Sequence, residues 1–303
     1  LQIKVINMTP LKGIKIIDFT TLLPGPLASL MLSDAGAEVI KIEKEGGEDL
    51  RKEQPFKGSE SILFAMLNRG KKSIEINLKK SESQKKILDL IKTCDVLIEQ
   101  FRPGVMKKLN LDWEKLKKIN KKLVYCSITG YGQSGIKKNK AGHDINYLAE
   151  SGLLSLSTFK NGKPAIPFSQ IADIAGGSYP AFMNILLALF NAKKTGRGCY
   201  LDISMYENLI PLAWLGLTNA LVEKKNVKSN SLYLNGGTAR YNIYETKDNK
   251  FLALGALEDK FWKKFCNIIK APDIIYNEKL DPQDQIKKIN NIINKKTEKF
   301  WKN

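Results

Sequence analysis

Histidine is almost absent from this chain: 303 residues contain one. That scarcity argues against a metal centre built on imidazoles. Cysteine is sparse as well. Cys94, Cys126, Cys199 and Cys266 stand far apart with no CxxC pair, a pattern of buried free thiols in a reducing cytoplasm rather than of a disulfide framework or a zinc site. Long apolar runs are missing too. None approaches the roughly 18–20 residues that a bilayer span needs, so no membrane association is expected. Residues 1–10 contain no signal-peptide h-region with a small-residue cleavage site. Zinc-finger spacing, an RRM signature and a basic zipper are likewise absent.

Positive charge, by contrast, is abundant. Lys and Arg total 49 against 31 Asp and Glu, a formal net charge of +18. Such a balance is compatible with nucleic-acid binding. Here the lysines are dispersed and often sit beside Asn and Ile, which points to solvated faces, and no nucleic-acid partner is expected. A basic surface also suits a polyanionic small ligand. The hydrophobic and charged fractions, 43% and 26%, are those of an ordinary globular protein. The length allows a large core and two domains. Residues 1–7 precede Met8 and the first good strand, and are set aside as a tag or upstream readthrough.

The first half alternates strand-like and helix-like segments. Strands are expected at 14–19, 39–42, 73–76, 96–98 and 123–127. Helices are expected at 27–35, after Pro24–Gly25–Pro26, and from a cap at Ser81 to Lys92. This alternation predicts an α/β fold with a parallel sheet flanked by helices, in which ligands bind at the carboxyl ends of the strands. A long apolar helix is expected at 174–192, with Asp173 as its start signal and Thr195–Gly196–Arg197–Gly198 as its stop. A short strand at 201–204 and an apolar helix at 209–222 follow. Beyond about residue 229 the texture changes. Short strands at 239–244 and 251–254 flank the turn Lys247–Asp248–Asn249–Lys250, and Lys-rich helices come after. The expected domains are 8–225, large, and 226–303, small and also α/β.

Several residues are candidates for chemistry. His143 lies in a polar cluster, Ala141–Gly142–His143–Asp144–Ile145–Asn146–Tyr147, ahead of an apolar helix. A lone His is more often structural than catalytic, yet imidazole moves protons near neutrality. Asp144 either fixes its tautomer or caps the helix. Asp173 is either a plain N-cap or a carboxylate base. It precedes Ala175, Gly176 and Gly177, and helix-interior glycine costs about 1 kcal/mol relative to Ala, so a ligand or another backbone is expected to approach there. Asn68–Arg69–Gly70–Lys71–Lys72 is either a phosphate contact or a basic turn. Phe101–Arg102–Pro103–Gly104–Val105 is a similar case. Thr129–Gly130–Tyr131–Gly132–Gln133–Ser134–Gly135 lacks the Gly-Lys-Ser/Thr of a Walker A loop and the strand-to-helix context of GxGxxG, which excludes a triphosphate or dinucleotide site.

These motifs together resemble the class III coenzyme A transferase superfamily, the CaiB/BaiF type, and within it the α-methylacyl-CoA racemase branch. The carrying residues are Leu11–Lys12–Gly13 leading to Asp18, Pro24–Gly25–Pro26, the run from Asp34 to Lys41, Asn68 to Lys72, Phe101 to Val105, Gly130 to Gly135, Ala172–Asp173 and Thr195 to Gly198. The match extends from about residue 10 to the end. Gly142–His143–Asp144–Ile145–Asn146–Tyr147 looks like the racemase histidine motif, where transferases usually carry an aromatic residue. Asp173 matches both the racemase acid and the transferase nucleophile. Glu258, in Gly255–Ala256–Leu257–Glu258, looks like the carboxylate that pairs with the histidine.

The resemblance implies a Rossmann-like large domain, a small α/β domain and an interlocked homodimer. It implies racemisation of a 2-methylacyl-CoA, with His143 and Asp173 on opposite faces of the α-carbon and Glu258 tuning His143 from the partner chain. Backbone N–H groups at the start of the Asp173 helix would hold the enolate oxygen. The alternative is a CoA transferase with Asp173 as nucleophile. No metal or redox cofactor is implied; coenzyme A is part of the substrate. Its contacts are expected at Lys44, Arg69, Gly70, Lys71, Lys72, Arg102, Lys108, Gly142, Asp144 and Tyr147. Lys44 stands where racemases often have Arg, keeping the charge without the bidentate fork. Tyr179 and Met183 are expected in the core. Family members continue past Phe300–Trp301 and return to the large domain, so a truncated chain is expected.

Overall fold

A computed structural model describes residues 9–159, 162–276 and 280–302; Met8 lies outside them. The chain divides into two compact units. The first is Leu1–Ser151 with Ile166–Leu212, and the second is Gly152–Ala165 with Ala213–Asn303.

The first unit alternates strands and helices. In chain order its main elements are β1 (Lys15–Asp18), α1 (Pro24–Asp34), β2 (Glu38–Glu43), α2 (Ile62–Asn68), β3 (Lys72–Glu75), α3 (Ser81–Ile91), β4 (Val96–Glu99), α4 (Trp113–Ile119), β5 (Val124–Thr129), α5 (Asp144–Glu150), α6 (Tyr179–Thr195) and β6 (Cys199–Ser204). The six strands form one sheet in the order β3-β2-β1-β4-β5-β6. Every pairing is parallel; Ile16, for example, lies opposite Val39 on one side and Val96 on the other. Strands β4 and β5 are buried along their whole length, as expected of a parallel sheet covered on both faces. That explains their continuous rather than alternating apolar pattern. Ile17, Ile42, Ile87, Ile91, Leu97 and Leu116 meet in one buried cluster, and each such side chain contributes about 1.5–3 kcal/mol on burial.

Helix α1 starts on Pro24 in its first turn, where the missing N–H is not needed. Helix α3 differs by one residue from its expected start. Lys80 is the N-cap and makes no side-chain cap bond, so Ser81 is the first helical residue. The long apolar helix differs more. It opens with a π-helical stretch, Ala172–Ser178, whose N-cap is Ile171. Asp173 therefore lies inside the first turn and does not cap it. The stretch Ala172–Thr195 is helical for 24 residues and, by length and composition alone, is long and apolar enough to cross a membrane. This corrects the reading that no run approaches that length. In this unit α6 packs on α1, β5 and β6.

The glycines near Asp173 have a packing cause. A Cβ on Gly176 would sit 2.3 Å from the Met205 carbonyl oxygen. The partner in that close approach is backbone and not a ligand.

The second unit holds α7 (Trp214–Glu223), the antiparallel hairpin β7 (Tyr241–Glu245) and β8 (Phe251–Gly255), α8 (Asp259–Ile268) and α9 (Pro282–Ile293). Asn249 takes the left-handed conformation in the hairpin turn, with φ of 55°, a geometry Asn tolerates. Tyr244, Trp262, Cys266, Ile289 and Ile293 form the core of this unit. The division falls after Leu212 and not between 225 and 226, and it takes in Gly152–Ala165. The apolar run across 209–222 is continuous, so composition marks no break there.

Candidate active site

In the sheet, β1 continues to β2 on one side while β4 lies on the other. The connecting loops diverge there, which opens a crevice at the carboxyl ends. A cavity of about 340 Å³ occupies that place. Thr21 and Pro24 after β1, Gln100 and Arg102 after β4, Tyr131 after β5 and Met205 after β6 all line it, together with His143 and Asp173.

His143 is the N-cap of α5, with extended backbone. Its N–H donates to Asn146 Oδ1 at 3.0 Å. The preceding carbonyl, of Gly142, accepts from the Tyr147 hydroxyl at 2.6 Å. A side chain at Gly142 would press on the Tyr147 ring, since a Cβ there would lie 2.8 Å from it. Tyr147 is buried and stacks edge-on against Tyr131. Glycine, tyrosine and asparagine thus fix the backbone of the histidine while its imidazole stays exposed.

Asp144 does neither thing expected of it. Its carboxylate accepts from the backbone N–H of Asp173 at 3.0 Å and from that of Ala172. It ties the start of α5 to the π-helical turn. The Ile174 N–H donates to Gln170 O at 3.0 Å. The first backbone donors around Asp173 are therefore occupied, which corrects their assignment to an enolate oxygen.

The Asp173 carboxyl is half-buried. Burial pushes its pKa up to about 7, and the nearby Asp144 carboxylate adds to the rise. Near neutrality this group both takes and gives a proton. π-Helical turns are frequent at functional sites, and this one carries the one carboxyl group among the described residues that line the cavity.

The expected coenzyme A contacts scatter. Lys44 pairs with Asp49 at 2.6 Å, Lys72 pairs with Glu38 at 2.6 Å, and Arg69 pairs with Asp34. All three pairs are exposed, and none of these cations lines the cavity. Lys108 ends the short helix Val105–Lys108 and is also exposed outside it. Gly70 makes a turn with φ of 77°. Lys71 is corrected outright. Its ammonium is buried, donating to Asn68 Oδ1 at 2.8 Å and Pro26 O at 2.9 Å, and facing Asp18 at 3.4 Å. It holds strand β3 to α1 and is closed to a ligand. Of the basic candidates, Arg102 alone reaches the cavity; Gly142 and Tyr147 line it as well. Glu258 is the exposed N-cap of α8, in the second unit. Tyr179 and Met183 are about half exposed, at 49% and 53%, and so are not core.

The sequence reading missed Gln100, Lys138, Lys140 and Met205 on the cavity wall. Nothing in a lysine-rich loop marks Lys138, and Met205 only follows a strand. Among the described residues no group of three or more His, Cys, Asp or Glu could hold a metal ion.

The model of CoA-transferase family III matches residues 11–303. The chain belongs to CoA-transferase family III. The family's curated members include human succinyl-CoA:glutarate CoA-transferase, 36% identical over 90% of this chain and 62% of that protein. Mouse α-methylacyl-CoA racemase is 37% identical over 83% of this chain and 62% of its own length. This chain therefore matches 62% of the length of each. A crystallised Mycobacterium tuberculosis protein superposes with a TM-score of 0.83 at 29% identity, covering 96% of this chain and 79% of that one.

Proposed function

We propose that this family III protein is an α-methylacyl-CoA racemase or epimerase, an isomerase that moves the α-proton of a 2-methylacyl-CoA thioester through an enolate. One observation carries the reading. The chain's only imidazole and a carboxyl group held near pKa 7 line the same cavity. An α-hydrogen beside a thioester carbonyl is weakly acidic. Its removal needs a base on one face, and inversion needs an acid on the other. In one direction the Asp173 carboxylate takes the proton and His143 returns one from the opposite face; in the other the roles exchange. Asp144 holds the Asp173 backbone, and Asn146 and Tyr147 hold that of His143, so both groups act from fixed positions. The reading extends to an interlocked homodimer in which Glu258 of the partner subunit tunes His143.

The second reading is a CoA transferase, favoured by the 36% identity to a transferase. Asp173 would attack the thioester and form a mixed anhydride, releasing CoA thiolate. Incubation with a 2-methylacyl-CoA in deuterated water separates the two. The racemase incorporates deuterium at the α-carbon without needing a free acid, and His143→Ala and Asp173→Ala each lower that exchange by at least about 100-fold. Transfer of CoA to a free carboxylic acid, with no α-exchange, would overturn the racemase reading.

A further inference from the structure

The loop that leads from β5 to His143 forms one wall of the cavity. Lys138, Lys140, Ala141 and Gly142 line it there, next to His143 itself. The loop starts firmly. The Gln133 N–H donates to Asp202 at 2.9 Å, and the buried Tyr131 ring meets those of Tyr147 and Tyr206 at centroid distances of 5.2 and 5.6 Å. The middle has no such support. Ile136 is fully exposed. Among the described residues, the backbone bonds of 134–140 stay inside the loop, from the Lys138 N–H to Gly135 O and from the Lys140 N–H to Lys137 O.

One side chain hydrogen-bonds this stretch to the rest of the protein. Glu150, the last residue of α5, accepts Lys137 Nζ on one carboxylate oxygen at 2.7 Å and Lys140 Nζ on the other at 2.6 Å. The second oxygen also accepts the Tyr131 hydroxyl at 2.7 Å. A single carboxylate thus gathers the start, the middle and the end of the loop. The Lys137 ammonium lies 4.8 Å over the Tyr206 ring as well, and a cation on an aromatic face adds to the hold. The two lysines, then the Tyr131 hydroxyl, hold the Glu150 carboxyl down at about 2. The clamp is therefore charged throughout the range in which Asp173 titrates.

Ion pairs this open to solvent contribute little to global stability. What this clamp restrains is local. Only Ala141 and Gly142 separate Lys140 from His143, so the end of the loop sets where the chain enters α5. Proton transfer is sensitive to such placement: a shift of about 1 Å costs up to about 100-fold in rate.

We propose that Glu150 is a positioning residue for His143, clamping the 131–142 loop so that the imidazole meets the α-carbon from a fixed wall of the cavity. This deepens the racemase reading and rests on His143 acting there as acid and base.

Exchange of the α-proton in deuterated water, followed separately for each antipode of a 2-methylacyl-CoA, tests it. The antipode whose exchange is lost in His143→Ala is the one that His143 deprotonates. Glu150→Gln keeps the size and an acceptor oxygen and removes the charge. It is expected to slow exchange of that antipode by about 10- to 100-fold, while the other antipode, which Asp173 deprotonates and relabels on its own face, changes by less than about threefold. Lys137 does not line the cavity, so Lys137→Met reaches the site only through the loop. It should slow the same antipode and add nothing in the Glu150→Gln background, the mark of two groups acting as one. Should Glu150→Gln fold poorly, Lys137→Met carries the antipode test by itself. Equal slowing of both antipodes overturns the proposal, since that is what a general loss of cavity shape produces. Additive effects of the two substitutions overturn it as well. The chain's one histidine gives a second readout without turnover. Its imidazole Cε1–H is a single NMR resonance, expected to shift and broaden in Glu150→Gln; an unmoved resonance in the folded variant overturns the clamp. Absence of α-exchange in the unaltered chain would instead overturn the racemase reading, and the imidazole resonance would then decide the clamp alone.

Discussion

At the scale of single residues, burial raises the Asp173 pKa most, and a neighbouring carboxylate adds to the rise. Asp144 accepts the Asp173 backbone N–H and adds negative charge beside its carboxyl. Asparagine in its place keeps an acceptor oxygen and removes the charge. The sign follows from the cause. A neighbouring anion disfavours ionisation, so its loss lowers the Asp173 pKa from about 7. On the proposed racemase reading Asp173 must be ionised to act as a base, so kcat/KM for the antipode it would deprotonate is expected to fall as pH drops through about 7 in the unaltered chain. In Asp144→Asn that fall is expected at lower pH, with Asp173 still in place. A pH–rate profile for each antipode measures it, and an unmoved acid limb would show that the Asp144 charge plays no part.

At the scale of elements, the π-helical turn Ala172–Ser178 presses its glycines against the chain that leaves β6. Gly176→Ala drives a methyl to 2.3 Å from the Met205 carbonyl oxygen, and backbone cannot swing aside as a side-chain tip does. Overpacking of this kind costs about 1–3 kcal/mol, and a lowered Tm by calorimetry is the check. Most elements were legible beforehand for a simple reason. Strands β4 and β5 are short, mostly apolar runs, and their burial along the whole length leaves that pattern in the sequence. The site was legible in part. Gly142–His143 announces itself as a motif. The link from Asp144 to Asp173 spans 29 residues and the link from Gln100 to Gly25 spans 75, and no local spacing encodes either. Lys71 misled because a buried ammonium and a solvated one look alike in sequence; only the fold shows Asp18, Asn68 and Pro26 around it.

At the scale of the whole molecule, the net charge of +18 acts on any anionic ligand before contact. Electrostatic steering raises association rates and is screened by salt, with a Debye length of about 10 Å at 0.1 M. The association rate of an acyl-CoA is therefore expected to fall several-fold between about 20 and 300 mM KCl, while dissociation changes less; stopped-flow binding at several salt concentrations checks it. The division of the chain has a consequence of its own for synthesis. The cavity wall runs from Thr21 to Met205, so nothing that ends short of Met205 contains the site. Yet Gly152–Ala165, made before that point, belongs with Ala213–Asn303. As the chain emerges, this segment leaves the tunnel with its packing partners still unmade, and its leucines must wait while the sheet behind it closes. His143 and Asp173 flank that waiting segment. Nascent polypeptides halted between residues 165 and 213 carry this segment without its partners and are therefore expected to aggregate more readily than the full chain.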